Sequence, residues 1–457
     1  MTRALIVGLG REGLALARYL GERGTAVTVA DGRGAEDLGE SADTLTALGG
    51  SLIAGNDHPN LAGFDIVYLN PAVPKGAPVA RDAQARGIPI SALTDLFFAV
   101  CPAPIAGVTG SNGKTTTTTL LGDMAIAAGF TTYVGGNIGR PLLNETARMT
   151  PREWVVLEMS SFQLEWLQAS PRVAVVTNLT PNHLDRHGAM DEYAAAKLPI
   201  VRYQGADGTA ILNAEDPYAP CFAQIAGGRV LYFSLVSAPP DGAVLEDDML
   251  VIRRAGRSEP VCGCAALRVP GAHNVANALA AIAAADAMGV PSRAMRDAIR
   301  AFNGVPHRLE LVRILDDVSY YNDSIATSPD RTRAALSAAP GPVVLILGGH
   351  DKALPWEALS REAVARCRVV LLLGEAEDLI AGHLEAALRE APPGLLTREA
   401  LIHCGDLERA VSTARHWARA GDAVLLSPGC ASYDQFRDFE ERGACFRRLV
   451  GGLHGDH

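Results

Sequence analysis

The sequence predicts an α/β protein of three domains built on mostly parallel sheets, and three observations carry that expectation. Its 457 residues exceed one ordinary core, and a size of about 150 residues per domain gives about three. Short apolar runs that end in glycine, proline or serine alternate with Ala- and Leu-rich helical stretches along the chain, as strand–helix–strand units require. Two glycine-rich turns, one at Gly8 and one at Gly107, each join such a run to a helix.

The elements follow in order. Ala4 to Leu9 is an apolar run ending in glycine, Leu14 to Leu20 has helical spacing, and Ala26 to Ala30 is a second β-rich run that stops at Asp31. With a further strand at Asp65 to Leu69, this predicts a Rossmann-like N-terminal domain over residues 1–97. A second series begins at Ile105 and has strand-like runs at Trp154 to Leu157, Val173 to Thr177 and Thr209 to Leu212, with a helix from Asn274 to Met288. It reads as a central P-loop ATPase-type domain with a mostly parallel sheet over 98–304, with Pro239 and Pro240 in a surface loop. Gly304 and Pro306 mark a linker, and strands at Val343 to Leu347, Val369 to Leu373 and Ala423 to Leu426 predict a Rossmann-like C-terminal domain over 305–457.

Composition narrows the function classes. Hydrophobic residues are 48% and charged residues 20%, the balance of a folded globular protein. A formal net charge of -10 lacks the clustered Lys and Arg that phosphate neutralisation on nucleic acid demands. The eight cysteines contain no CxxC pair, so reduced thiols are expected, with neither a disulfide framework nor a zinc site. No run approaches the roughly 18 apolar residues of a membrane span, and a cytoplasmic monomer is the expectation.

Gly8-Leu9-Gly10-Arg11-Glu12-Gly13 is a complete GxGxxG between strand and helix, with Asp31 ending the next strand. By itself it reads equally as an NAD site or as a seat for another pyrophosphate, because the glycines only let the backbone approach such a group at a helix N-terminus. Gly107-Val108-Thr109-Gly110-Ser111-Asn112-Gly113-Lys114-Thr115 is more specific. Its backbone N–H groups suit a triphosphate, Lys114 the β and γ phosphates, and the Thr115 hydroxyl Mg²⁺, although strict spacing wants glycine where Val108 stands. Glu158 ends an apolar strand and reads as a Mg²⁺ ligand or as a solvated acid. The run His183-Leu184-Asp185-Arg186-His187 has metal-like content, or is a hydrogen-bonded turn. Lys197 lies in an apolar helical stretch where a lone lysine ordinarily snorkels to the surface. Asn274 and Asn277, one turn apart, suit a purine edge or a helix cap, and Arg308 with Asp323 suits a ligand or a structural ion pair.

The strings GVTGSNGKTTTTTL, GGNIGRPL, LEMSSFQLE, TNLTPNHLDRHG, YAAAKL, GAHNVANALAA, GVPHRLELV, YNDSIATS, LGGHDK and LLSPGCASYDQFRDFEERG appear in the order seen in the Mur ligases. The chain resembles that family from about residue 8 to residue 450, and is most similar to its D-glutamate-adding branch. The resemblance implies an ATP- and Mg²⁺-dependent ligase of peptidoglycan precursor synthesis. Its substrates are then UDP-N-acetylmuramoyl-L-alanine and D-glutamate, joined through an acyl phosphate.

Carried over by motif, it implies ATP contacts at Gly110, Ser111, Asn112, Gly113, Lys114, Thr115, Thr116, Asn274, Asn277, Arg308 and Asp323. It implies Mg²⁺ ligation by Thr115, Glu158, His183 and Lys197, the last as a carbamate. Gly10, Arg11, Asp31, Arg33, Asn137 and Gln163 then face the UDP-muramoyl substrate, and Thr327, Lys352, Ser432 and Phe439 receive glutamate.

The sequence departs from the family pattern at three places. Ile325 stands where a lysine is frequent, with Ser328 in place of Asn; Asn182 replaces an acid; and Asn70-Pro71-Ala72 replaces a Ser-Pro-Gly turn. Two other readings remain: a relative that adds L-glutamate or another amino acid, and an NAD-binding regulatory protein built on Gly8 to Gly13. The phosphate loop argues against the second, which has no use for a triphosphate cradle.

Overall fold

The computed structural model describes residues 2–269, 271–352, 354–390 and 394–455. The chain forms two compact units, Met1–Phe302 and Asn303–His457.

The first unit holds two sheets. Strands β1 (Arg3–Val7), β2 (Ala26–Asp31), β3 (Ser51–Ala54), β4 (Ile66–Leu69) and β5 (Ile90–Ser91) are all parallel, in the order β3-β2-β1-β4-β5. Ala4 to Val7 are essentially inaccessible to solvent, which is why this strand reads as an unbroken apolar run: a central parallel strand is covered on both faces. The order in which successive strands are laid down switches sides at β1, between β2 and β4, and ligands of open sheets gather at the C-terminal side of such a switch.

The second sheet comprises β6 (Ile105–Thr109), β7 (Thr132–Gly136), β8 (Trp154–Glu158), β9 (Val173–Val176), β10 (Thr209–Asn213), β11 (Arg229–Ser234), β12 (Gly242–Glu246), β13 (Met249–Arg254) and β14 (Arg257–Gly263). Their order is β14-β13-β12-β11-β10-β9-β6-β8-β7. It is parallel from β7 to β12 and antiparallel from β12 to β14. The helices Lys114–Ala127 and Ala272–Ala287 pack on one another beside this sheet. A single buried cluster runs through both sheets, from Ala4, Ile6 and Leu16 to Leu143, Val155 and Ala174.

The second unit carries β15 (Glu310–Leu315), β16 (Val318–Asn322), β17 (Val343–Gly348), β18 (Cys367–Leu373), β19 (Leu401–Gly405) and β20 (Ala423–Gly429), in the order β15-β16-β20-β17-β18-β19. Among these strands of the described residues, the β15–β16 pairing is antiparallel and the others are parallel.

The antiparallel ribbon β12–β14 and the edge strand β15 were not among the strands read from the sequence, which expected mostly parallel sheets. Both contain a tight turn made by an Asp pair in the left-handed region, Asp247 and Asp248 (φ 45° and 64°) and Asp316 and Asp317 (φ 50° and 60°). Aspartate tolerates this conformation without glycine, so the hairpin lacked its usual Asn-Gly or Asp-Gly signature. Cys101, Cys221, Cys262, Cys264, Cys367, Cys404, Cys430 and Cys445 are all free thiols. Among the described residues no helix is long and apolar enough to cross a membrane.

Candidate active site

The loop between β6 and the helix Lys114–Ala127 is made by two glycines with positive φ, Gly110 at 144° and Gly113 at 80°. A Cβ on Gly110 would stand 2.0 Å from Thr177 Oγ1, and one on Gly113 2.1 Å from Asn277 Oδ1. The loop is therefore pressed between the segment after β9 and the helix Ala272–Ala287. Hydrogen bonds brace it from the β9 side. Ser111 N donates to Asn178 O at 2.8 Å. Asn112 N donates to Asn178 Oδ1 at 3.0 Å, Thr177 Oγ1 to Asn112 O at 2.6 Å, and Ser111 Oγ to Thr180 O at 2.8 Å.

Lys114 Nζ folds back over this turn and donates to Gly110 O and Ser111 O, both at 2.9 Å. A cation held above a glycine turn at a helix N-terminus is the arrangement a polyphosphate needs. Thr116 follows in the first helical turn, and Asn274 Oδ1 accepts from Asn277 Nδ2 at 3.3 Å, so the asparagine pair borders the same loop.

Glu158, the last residue of β8, is 3% exposed and accepts from Thr115 Oγ1 and from Asn137 Nδ2, each at 2.7 Å. Lys197, at the end of the helix Met190–Lys197, is 1% exposed and does not snorkel. Its Nζ donates to Thr109 Oγ1 at 3.1 Å and Gly110 O at 3.2 Å, and lies 4.7 Å from the centre of the Tyr193 ring. Burial pushes its ammonium well below the ordinary lysine range; the Lys114 charge adds to this and Glu158 opposes it.

His183 adopts a left-handed conformation (φ 54°) and packs edge-on against Phe162, with ring centroids 5.0 Å apart. The buried histidine of this loop is His187, whose Nε2 is 3.0 Å from Ser161 Oγ and whose Nδ1 is 3.3 Å from Glu165. The side chains of Leu184 and Asp185 lie outside the described part of the structure. Among the described residues no three His, Cys, Asp or Glu side chains stand together as a metal cluster. A hydroxyl and a carboxylate at 2.7 Å are nevertheless the hard oxygen donors that suit Mg²⁺, which ordinarily takes one or two protein carboxylates and completes its shell with phosphate and water.

The turn after β1 is built differently. The Asp31 carboxylate accepts from Leu9 N at 2.8 Å, from Arg33 N at 3.0 Å, and from Arg33 Nε and Nη2 at 2.9 and 2.8 Å. The hydrogen bonds from the Arg33 side chain, the largest influence, hold it down at about 2. A Cβ on Gly13 would meet Gly8 O at 2.1 Å, whereas one on Gly10 would find only Asn70 Nδ2, at 3.8 Å. Gly10 thus faces open space. Beside it lies a cavity of about 260 Å³ lined by Gly8, Asp31, Asp57, His58, Val73 and Pro74. Asn70 Oδ1 accepts from Ala72 N at 3.0 Å, and Arg186 Nη1 donates to Ala72 O at 2.8 Å, tying this turn to the central sheet. Arg11 Nη1 reaches Gly139 O at 3.4 Å, and Gln163 Nε2 donates to Glu12 at 2.9 Å.

In the second unit Asp323 is buried, accepting from Ser427 Oγ at 2.7 Å and Leu309 N at 3.1 Å. Burial raises its carboxyl to about 7 against these bonds and the nearby Arg308 and Arg331 charges. Lys352 Nζ donates to Thr327 O at 3.1 Å, which joins two of the expected glutamate residues. Ser432 is buried, and Phe439 begins the helix Phe439–Gly451 with its carbonyl accepting from Ser324 Oγ at 2.8 Å. The fully buried Arg442 binds Ser324 Oγ at 3.0 Å, Ser324 O at 3.0 Å, Cys430 O at 3.2 Å and Ala431 O at 3.3 Å. Beside Ile325, Arg331 Nη1 donates to the Ile325 carbonyl at 3.4 Å.

Three family models match in sequence: a MurD-like Mur ligase N-terminal domain over 2–92, a Mur ligase middle domain over 108–285, and a Mur ligase glutamate ligase domain over 307–430. A UDP-N-acetylmuramoylalanine–D-glutamate ligase of Symbiobacterium thermophilum is 45% identical over 99% of this chain and 98% of its own. The chain belongs to the Mur ligase family. A protein of the same name from Pelotomaculum thermopropionicum is 42% identical over 99% and 98%.

Solved Mur ligases share the fold. A UDP-N-acetylmuramate–alanine ligase of Thermotoga maritima has a TM-score of 0.56 at 19% identity, covering 99% of each chain. A MurF ligase of the same organism, solved with ADP, has a TM-score of 0.54 at 17% identity, covering 98% of each chain. For a Mur ligase, the sequence pointed to Lys114, Thr115, Glu158, Asn137, Lys197 and Asn277, which the structure gathers round one loop. It missed the braces Thr177, Asn178, Thr180 and Tyr193, and the buried Arg442. Their strings were visible, but hydroxyls and amides that hold a loop from another strand leave no local spacing to read.

Proposed function

We propose that the protein is an ATP-dependent ligase that adds D-glutamate to UDP-N-acetylmuramoyl-L-alanine in the cytoplasm, in peptidoglycan precursor synthesis, acting as a monomer. The observation that carries this reading is the Thr115–Glu158 bond of 2.7 Å beneath a phosphate loop that also holds Lys114 and the buried Lys197. The names of relatives at 45% and 42% identity support the choice of substrates.

In this reading the backbone from Gly110 to Thr116 cradles the ATP phosphates, and Lys114 leaves the carbonyls of Gly110 and Ser111 to neutralise the β and γ phosphates. Asn274, Asn277, Arg308 and Asp323 serve ATP. Thr115, Glu158 and His183 would hold Mg²⁺, which when bound draws charge from the transferring phosphoryl group. Lys197 Nζ, whose ammonium form burial disfavours, would add to CO₂ and lose one proton to give a carbamate anion, whose oxygens would serve the metal. The alanyl carboxylate attacks the γ phosphorus, ADP leaves, and the glutamate amine displaces phosphate from the acyl phosphate. Positioning and charge neutralisation supply most of the rate.

The UDP end is assigned to Gly10, Arg11, Asp31 and Arg33, the sugar and peptide to Asn137 and Gln163, and glutamate to Thr327, Lys352, Ser432 and Phe439. The corresponding domains are 1–97, 98–304 and 305–457. The test is phosphate release from ATP with UDP-N-acetylmuramoyl-L-alanine and a panel of amino acids. Release that requires both the UDP substrate and D-glutamate is expected. A preference for L-glutamate or another amino acid overturns the specificity, and release without the UDP substrate overturns the reaction.

A further inference from the structure

Glu12 occupies the first turn of the helix Arg11–Gly21, two residues beyond Gly10. Its carboxylate reaches the segment that follows β8 of the second sheet, at Gln163. Oε1 accepts from Gln163 Nε2 at 2.9 Å, while Oε2 is buried with no hydrogen-bond partner in the protein. Burial correspondingly raises its carboxyl above the ordinary range. A carboxylate in the first turn of a helix is ordinarily explained by the helix dipole, but such an acid stays in water. One buried with an unpaired oxygen needs another reason.

The surroundings supply one. Gln163 is fixed at both ends: Ser160 N donates to its Oε1 at 3.0 Å, and its Nε2 is held by Glu12. Glu12 and Gln163 then line, with Phe97, Gly136, Pro141 and Glu158, a void of about 20 Å³. That volume admits one hydroxyl-sized group and no ring. Glu12 thus stands between the turn assigned to the diphosphate and the carboxylate assigned to the metal, and a UDP-muramoyl substrate must span that interval with its hexose. A ring outside the void, projecting one hydroxyl into it, gives Oε2 the donor it lacks.

We infer that Glu12 is a specificity-determining residue that accepts a hydrogen bond from a hydroxyl of the muramoyl sugar, with Gln163 holding its carboxylate in place. The inference rests on the proposed ligase reading. A charge-assisted bond of this kind is worth about tenfold or more in affinity.

The experiment is calorimetric titration of the full-length wild type and Glu12→Met with UDP and with UDP-N-acetylmuramoyl-L-alanine, together with titration of the wild type with 4-deoxy and 6-deoxy sugar analogues. Glu12→Met should weaken the full substrate at least tenfold and leave UDP within twofold, and one deoxy analogue should lose a similar factor on the wild type. Unchanged binding of the full substrate by Glu12→Met, or equal loss for UDP, overturns the proposal. If Glu12→Met does not fold, the analogues decide: wild-type affinity for both deoxy sugars means that Glu12 meets water alone. A wild type that binds UDP but not the muramoyl compound refutes the ligase reading itself, a result distinct from any failure at Glu12.

Discussion

At Gly110 to Gly113 the chain closes around a lysine, whose ammonium lies on the carbonyls of Gly110 and Ser111; at Gly8 to Gly13 it closes around a carboxylate, Asp31, which takes Leu9 N–H and the Arg33 side chain. Both turns follow a central parallel strand and open a helix, and both use glycine where a side chain would strike backbone or a neighbour. Glycine spacing therefore specifies the path of the backbone and not the ligand. In the proposed reading the ligand is chosen by residues outside the motif: Glu158, Lys197 and Asn277 at one turn, Arg33 and the cavity beside Asp57 and His58 at the other.

This contrast can be broken at several points. The largest effect is expected from Lys114→Ala, which removes the cation from one turn and nothing from the other. Ligation should fall about a hundredfold or more, with the melting temperature and UDP affinity unchanged. Turnover close to wild type would reject the phosphate-loop assignment.

Next comes Lys197→Ala, expected to be nearly inactive and partly restored by acetate or formate, since the proposed group is a carbamate anion. Rescue by small amines with none by carboxylates would mean that the lysine acts as a cation.

The two turns also differ in how they should tolerate a methyl group. Gly113→Ala meets a φ of 80° and the Asn277 amide at 2.1 Å, so ATP affinity should drop about tenfold or more. Gly10→Ala, at a φ of -101° and with its nearest neighbour at 3.8 Å, should melt like wild type and lose only a few-fold in UDP affinity. Equal damage by both substitutions to thermal stability would show that the first turn is closed packing and not a ligand seat.

The smallest effect is at Asp323, whose carboxyl is raised to about 7 by burial. The native state holds a proton there that the unfolded chain has released, so this group's contribution to stability falls as pH rises from about 4 to 7. Asp323→Asn lacks the titration. Its destabilisation relative to wild type, measured by urea unfolding, should shrink on the order of 1 kcal/mol between pH 5 and pH 8. A constant difference would contradict the raised pKa.

Much of this was legible in the sequence. The strands at β1, β6, β8 and β17 are apolar on both faces and so read as continuous runs, and Lys114 and Thr115 sit at fixed offsets within a recognisable loop. Lys197 was misleading, because helical spacing gives the bland expectation of a snorkelling side chain; only the packing of its helix against the phosphate loop makes it buried. The ribbon β12–β14 was hidden by its Asp-Asp turn, and Glu12 by its place inside a glycine motif, where only the two flanking glycines attract notice.

The account is tested most directly by following oxygen. With the alanyl carboxylate of UDP-N-acetylmuramoyl-L-alanine labelled with ¹⁸O, the enzyme, ATP, Mg²⁺ and D-glutamate, ligation through an acyl phosphate predicts inorganic phosphate carrying one labelled oxygen, formed in step with product. Unlabelled phosphate formed at the same rate would contradict it.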